Sequence, residues 1–248
     1  MTEPPNDWPQ EGTPPPFPPA GPLRDGPAWE RRAGMLDLGA LFTTVKDVLI
    51  DAPRTFATMN RDNGLGGPLV FLLILGTISG WVGMVWGFLL EQVMGSFGLG
   101  TAGMDLSQFG IQQDAAVAAF LASTLFKIMY ALVLPAIILM VFFIEAGVFH
   151  LMLLIVGGAR QAFETTARVV AYAGGATALF QMVPFCGGLI GLVWGVIVLI
   201  LGLAYAHETS TGRAVAAVLL PLVLCCLCCV LVVALFITAA TQLTGANL

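Results

Sequence analysis

Residues 68–90 read PLVFLLILGTISGWVGMVWGFLL, and this stretch decides the class of fold. It contains no charged residue and meets the roughly 20 residues that an α-helix needs to cross the ~30 Å hydrocarbon core of a bilayer. The whole chain has the same bias, because 58% of its 248 residues are hydrophobic and only 10% are charged, against about 25% charged in soluble domains. The composition therefore predicts an integral membrane protein and excludes a soluble enzyme. The net charge of -5 leaves no basic surface for nucleic acid.

Further apolar segments follow, so we predict an all-α, polytopic membrane bundle of about five transmembrane helices within residues 68–248. The predicted spans are 68–90, 116–156, 165–183, 189–206 and 214–240. The second is too long for one simple crossing, since as a helix it would measure on the order of 60 Å. It is either one long helix kinked at Pro135 or a hairpin of two spans. No Gly, Asn or Asp stands beside Pro135 to form a turn, which favours the single helix.

Residues 1–34 differ from the rest of the chain. Ten of the 15 prolines lie between Pro4 and Pro27, and no apolar period accompanies them. Such a composition cannot bury enough surface to offset its ordering entropy, so we predict a disordered, Pro-rich cytoplasmic tail. The tail is either a solvated tether or a docking site for a proline-binding module. It lacks the basic start and apolar run of a signal peptide, and none is expected.

Residues 35–67 are predicted to form amphipathic helices that precede the first span. Six apolar residues recur there at helical spacing: Leu38, Leu41, Phe42, Val45, Val48 and Leu49. Asp51 is suited to an N-cap, and Pro53 to the first turn of a second helix. These helices lie either on the membrane surface with the apolar face inward or against the protein's own membrane domain.

The basic residues predict the topology, because they mark the cytoplasmic side of membrane proteins. Six of the ten precede the first span. Arg160, Arg168 and Arg213 fall on alternate connections, and only Lys127 is out of step. The pattern predicts a cytoplasmic N-terminus and a C-terminus on the outer side.

Glycines at four-residue spacing predict close helix packing in two spans. They are Gly76, Gly80, Gly83 and Gly87 in the first span, and Gly187, Gly191 and Gly195 in the fourth. The sequence leaves two arrangements open. The first and fourth spans pack together, or the glycine faces form a homo-oligomer.

Polar groups inside the predicted spans are candidates for function, because they are costly in a bilayer. These candidates are Glu145, His150 and Gln181. Glu145 and His150 are about 140° apart around a helix, which argues against a proton-relay pair. Cysteines 225, 226, 228 and 229 lie within the fifth span, where we expect them to be small buried apolar residues rather than a metal site. No catalytic motif is present, so no catalytic residue, cofactor or metal is expected.

The order of several short motifs resembles the Yip domain family of Ypt/Rab-interacting proteins. The segment around Pro53 and Phe56 resembles that family's pre-membrane segment. Later positions resemble its Gly-Gly to Tyr segment and its closing segment: Gly157, Gly158, Phe163, Tyr172 and Pro184. The resemblance implies about five membrane helices and a cytoplasmic N-terminus. The chain lacks the Asp-Leu-Tyr-Gly-Pro motif of eukaryotic members, so GTPase binding is not carried over. It looks more like the bacterial branch, which implies the bacterial cytoplasmic membrane.

Two functional hypotheses come from these observations. The first is a non-catalytic membrane scaffold or organiser that binds protein or lipid partners through residues 35–59 and the glycine faces. The alternative is a small transporter, channel or lipid-handling protein that uses Glu145 and Gln181 inside the bundle.

Overall fold

The computed structural model describes residues 24–34, 36–96 and 124–244, and these ranges contain helices and no strand. The α-helices are α1 (Leu38–Ile50), α2 (Ala52–Ala57), α3 (Gly66–Ser96), α4 (Thr124–Ile155), α5 (Phe163–Ala178), α6 (Gly187–Ala206) and α7 (Thr211–Thr244). Two short 3-10 helices, Ala28–Arg31 and Leu179–Met182, complete the described elements. The predicted all-α class is therefore correct.

Four helices within these ranges, α3, α4, α6 and α7, are long and apolar enough to cross a membrane. The predicted count of about five is not confirmed. The third predicted span, 165–183, corresponds to α5, which has 16 residues and is therefore only about 24 Å long. Its polar side chains explain the difference, because Thr165, Thr166 and Arg168 are buried by other parts of this protein.

Helix α5 lies at the centre of the described structure, against α1, α3, α4 and α6. It runs antiparallel to α6, since Thr166 bonds to His207 at one end and Thr177 faces Gly195 towards the other. The approach to α3 is close at Gly175, where a Cβ atom would lie 2.8 Å from Cδ1 of Phe71. Glycine at this position therefore sets the distance between the two helices.

Helix α4 is continuous over Thr124–Ile155, with Pro135 inside it, rather than a hairpin. Residues 116–123 of the predicted span lie outside the described residues. The helix ends at Gly157, whose φ of 67° is in the left-handed region that favours glycine. The Gly158 amide then donates to the Leu153 carbonyl at 2.7 Å, which closes a Schellman turn.

Helices α1 and α2 pack against the protein's own membrane domain. Leu41, Val45 and Val48 of α1 are buried, and Phe56 of α2 is fully buried. This packing is one of the two settings considered from the sequence. An adjacent apolar surface nevertheless stays exposed, formed by Leu38, Phe42 and Ile50 of α1 and by Leu36 just before the helix. We call these four residues the outer face of α1.

The glycines predicted to join the first and fourth spans face other helices. Gly76 and Gly80 of α3 approach Ile138 and Leu134 of α4. In α6, Gly187 and Gly191 approach Phe180, and Gly195 approaches Thr177. Gly83 and Gly87 have open space where a Cβ atom would lie. Direct pairing of the first and fourth spans is therefore wrong, because α5 lies beside α6 and α4 covers the glycine face of α3.

The second half of α7 contrasts with these packed helices, because residues 222–239 are all exposed. Cysteines 225, 226, 228 and 229 belong to this stretch and are exposed with free thiols. Other helices of the protein therefore do not bury these cysteines, and their expected burial within a membrane span stays a prediction. Only the first turns of α7, with Ala214, Ala217 and Val218, are buried by the rest of the chain.

Candidate functional site

Charged and polar side chains gather where α3, α5 and α7 begin and α4 and α6 end, and we call this region the basic end. Glu208, in the turn between α6 and α7, accepts hydrogen bonds at 2.7 Å from Arg24 and from Arg61. Arg160 donates to the backbone carbonyl of Glu208 at 3.0 Å. The Arg61 hydrogen bond and charge, followed by those of Arg24, hold the pKa of Glu208 below its usual range. Three arginines from separate segments thus meet at one turn.

A buried ion pair joins the N-terminal segment to α5. Arg168 of α5 is fully buried, and it donates hydrogen bonds to the Glu30 carboxylate and to the Gly64 carbonyl. The Tyr172 hydroxyl donates to the same carboxylate at 2.7 Å. Removing one partner from a buried pair leaves an uncompensated charge and costs about 3–5 kcal/mol. The Glu30 interaction therefore holds the first 3-10 helix in one position.

Trp29 fixes the neighbouring part of the segment by packing and hydrogen bonding. Its side chain is fully buried, and the indole Nε1 donates to the Gly67 carbonyl at 2.9 Å. Its backbone amide donates to Oγ1 of Thr44 in α1 at 2.8 Å. The Phe71 ring lies between Trp29 and Tyr172, with centroid distances of 6.1 and 5.2 Å. The segment, α1, α3 and α5 consequently share one core.

This core corrects the prediction that residues 1–34 are a disordered tail. Residues 24–34 are folded onto the bundle, while residues 1–23 lie outside the described structure. Trp29, Glu30 and the pairing of Arg168 were therefore not predicted from the sequence. A signal was available, because Trp29 follows Pro27 within a segment that is otherwise poor in large apolar residues.

A hydrogen-bonded chain connects both histidines at the basic end. The Gln161 amide donates to Nδ1 of His207 at 3.3 Å, which leaves Nε2 of neutral His207 as the protonated nitrogen. That Nε2 donates to the Thr166 hydroxyl at 2.9 Å, and the hydroxyl in turn donates to Nδ1 of His150 at 2.8 Å. Burial, followed by the charges of His150 and Arg61, lowers the pKa of His207 to about 4. His207 is therefore neutral near pH 7.

Glu145 and Gln181 come together at a different place, within the membrane-spanning part. Both line a crevice of about 590 Å³ between α4, α5, α6 and α7, and a second of about 500 Å³ between α3, α4 and α5. His150 lines neither crevice. The structure thus places Glu145 and Gln181 along the same two crevices and groups His150 with Thr166 and His207.

The residues that carried the family resemblance have structural positions of their own. Phe56 packs against Gly202 of α6, where a Cβ atom would lie 3.0 Å from the Phe56 ring. Phe163 contacts His150 edge-to-face at 5.6 Å between ring centroids. Pro184 lies in the turn before α6. No three His, Cys, Asp or Glu side chains of the described ranges come together as metal ligands.

The comparisons with known proteins identify a family. The chain matches the Yip1 domain over residues 46–233, most of its length. No curated protein and no solved structure matches it. Yip1 proteins are membrane-associated and known for protein interactions in general, and theirs is not a known enzyme family. The chain therefore belongs to the Yip1 domain family and is a polytopic membrane protein.

Proposed function

We propose that the protein is a non-catalytic membrane scaffold whose basic end holds partner proteins at the membrane surface. The observation that carries this proposal is the rigid attachment of the N-terminal segment and α1 to the spanning helices. A binding surface loses less entropy on association when its backbone is already fixed. The buried contacts of Trp29, Glu30 and Phe56 supply that fixation.

The outer face of α1 is the surface that we assign to the partner. Leu38, Phe42 and Ile50 are 62%, 65% and 76% exposed, although the neighbouring side of the same helix is buried. Lys46 lies within this face, one helical turn from both Phe42 and Ile50, and Asp47 lies at its edge. An exposed apolar patch next to charged side chains is typical of an interaction site.

Site-specific photo-cross-linking in intact cells tests this role. A photoreactive amino acid at Phe42 and, separately, at Leu38 is expected to capture the same protein, identified by mass. The matched control is Asp62, which is exposed in the loop before α3 and does not belong to the outer face. Capture of lipid alone at both outer-face positions, or equal capture from Asp62, would contradict the proposal. Deleting residues 35–59 is a poor test, because it removes the buried Val48 and Phe56.

We further propose that the basic end lies in the cytoplasm, with the C-terminus on the outer side of a bacterial cytoplasmic membrane. The arginines at Glu208 and in the Glu30 pair all belong to this end, and basic residues concentrate on the cytoplasmic side. In this arrangement α5, together with the 3-10 helix Leu179–Met182, forms a fifth crossing that is covered by other helices.

A second candidate function is transport or lipid handling through the two crevices. It is favoured by one observation, namely that Glu145 and Gln181 line both of them. Reconstituted protein would then pass an ion or lipid at a rate that Glu145→Gln lowers without changing thermal unfolding. The matched control is Gln92→Leu, an exposed polar position of α3 outside both crevices. Flux no higher than in protein-free liposomes would exclude this candidate.

A further inference from the structure

A polar cavity of about 560 Å³ lies where α3 begins, apart from the outer face of α1 and from the two crevices. Its lining includes Glu30, Arg32, Asn63, Gly67 and Arg168. Two arginines and one carboxylate therefore face the same space. The scaffold role uses Glu30 and Arg168 to hold the N-terminal segment and gives no role to the cavity itself.

The side chain of Arg32 is fixed in position beside this cavity by contacts with Trp29. Its guanidinium carbon lies 4.4 Å from the centroid of the Trp29 ring, and Nη1 donates to the Trp29 carbonyl at 2.9 Å. That hydrogen bond uses one of the five N–H donors of a guanidinium group. The stacked position lowers the entropy lost when the remaining donors bind a ligand.

Arg168 contributes a buried donor that the fold leaves unused. Its two terminal nitrogens bond to Gly64 and Glu30, but Nε has no hydrogen-bond partner in the described part of the chain. The side chain is completely buried and lines the cavity. Buried polar groups without a partner are rare in folded proteins, so a ligand atom is the expected partner for this N–H.

The N-terminus of α3 adds positive potential to the same space. The Leu69 amide donates to the Leu65 carbonyl, so the helical hydrogen bonds begin there, and the earlier amide of Gly67 lies at the open end of the helix. A 31-residue helix carries the positive end of its dipole at this point. Helix N-termini with free amides bind phosphate and other anions.

The charge balance of the cavity favours an anion over a cation. Arg168 and the Tyr172 hydroxyl already occupy the Glu30 carboxylate, so this negative charge is compensated. Arg32 and the helix dipole remain as uncompensated positive potential. The ligand therefore carries negative charge and several acceptor oxygens.

We propose that this cavity binds a phosphate group, with Arg32 and Nε of Arg168 as side-chain donors and the first turn of α3 as backbone donor. The phosphate belongs either to an anionic phospholipid headgroup or to a soluble phosphate compound. Gly67 lines the cavity close to the start of the first membrane-spanning helix, and the ends of such helices lie near the lipid headgroups. The inference goes beyond the scaffold role and does not require it, since a chain without a protein partner would still bind phosphate.

The test compares full-length protein in nanodiscs of different lipid content. One arm contains phosphatidylcholine alone, a second adds phosphatidylglycerol, and a third titrates inorganic phosphate into the first at constant ionic strength. The measured quantity is the rise in thermal unfolding midpoint caused by the anion. Stabilisation by phosphatidylglycerol alone identifies a headgroup site, and stabilisation by inorganic phosphate identifies a site for soluble phosphate.

Three arginine variants separate a built site from general surface charge. Arg32→Gln is expected to weaken binding of the anion by about tenfold or more, because it removes a charge-assisted hydrogen-bond donor. Arg32→Lys keeps the charge without the planar fork and is expected to retain part of the binding. The matched control is Arg31→Gln, which removes an equal charge from the adjacent exposed residue outside the cavity.

Each outcome supports or overturns phosphate binding in the cavity. An anion-induced rise that Arg32→Gln reduces and Arg31→Gln preserves supports it. An equal loss in both variants, or no rise with either anion, overturns it. The rise is measured relative to each variant's own anion-free midpoint, so a change in basal stability does not affect the result. Failure here leaves the cross-linking result at Phe42 unchanged, and the reverse also holds.

Discussion

The basic end and the second half of α7 are stabilised by different partners, although both consist of helices rich in apolar residues. At the basic end, Trp29, Phe56 and Tyr172 are fully buried against other segments of the chain. In residues 222–239 of α7 every side chain is exposed. The contrast shows that packing within the chain stabilises the structure of the basic end, whereas the bilayer or another molecule must cover the end of α7. The hydrogen-bonded and charged side chains described above consequently lie at the basic end rather than along the end of α7.

The largest effect is expected from breaking the buried pair at the basic end. Arg168→Met leaves the Glu30 carboxylate buried without its countercharge, so the free energy of unfolding should fall by about 3–5 kcal/mol. Thermal or denaturant unfolding in detergent measures the change. Arg213→Met, at an exposed position of α7, is the matched control and should be nearly neutral. Similar stability of the two variants would mean that Glu30 and Arg168 are not buried together.

The next prediction compares one leucine from each region directly. Leu203→Ala removes a fully buried side chain of α6 and should cost about 2–5 kcal/mol, because a cavity remains. Leu231→Ala, on the exposed part of α7, should change stability by less than about 0.5 kcal/mol. Unfolding of the two variants in the same detergent tests the comparison. An equal loss would show that the second half of α7 packs as tightly as the basic end.

A smaller effect concerns pH at the basic end. The folded-state pKa of His207 is lowered to about 4, so the unfolded chain takes up a proton first as pH falls. The stability contributed by neutral His207 is therefore fully present above the unfolded pKa of about 6.5 and is lost as pH falls towards 4. We expect a loss on the order of 2 kcal/mol over this window. His207→Gln keeps a donor for Thr166 but does not titrate, so the difference between wild type and variant isolates this group from Glu208. Parallel pH profiles would contradict the assignment.

The smallest effect concerns the close approach of α2, α5 and α6 at Gly202. A Cβ atom there would lie 2.6 Å from Val169, so Gly202→Ala should destabilise the protein by about 1 kcal/mol through overpacking. Gly212→Ala is the control, since a Cβ atom at that position meets open space. It should be neutral or slightly stabilising, because alanine has the higher helix propensity. A stabilising Gly202→Ala would indicate that Phe56 is farther from α6 than described.

Much of this fold could be predicted from composition and spacing alone. The all-α membrane class follows from apolar runs such as residues 68–90, and the Yip1 family from the order of motifs between Pro53 and Pro184. The path of α4 through Pro135 also followed from the missing turn residues. These features depend on local sequence, where length and residue type determine the result.

The features that the sequence missed depend on contacts between distant segments. Arg168 was assigned to a connection by its charge, but its partner Glu30 lies 138 residues earlier in a proline-rich segment. The glycines of α3 and α6 indicated close packing without indicating which helix approaches them. The count of five spans is not confirmed because α5, the third predicted span, is short and is buried inside the protein, and that burial is a tertiary property.

Hydrogen–deuterium exchange on the full-length protein in nanodiscs tests most directly whether the basic end is a fixed platform. The amides of α1 and α2, and the Trp29 amide bonded to Thr44, are expected to exchange as slowly as those of the buried helix α5. Glu30→Gln should speed exchange in residues 24–34 and in α1 while leaving residues 222–239 unchanged. Exchange of residues 28–57 at the rate of an unfolded peptide in the wild-type protein would contradict the account.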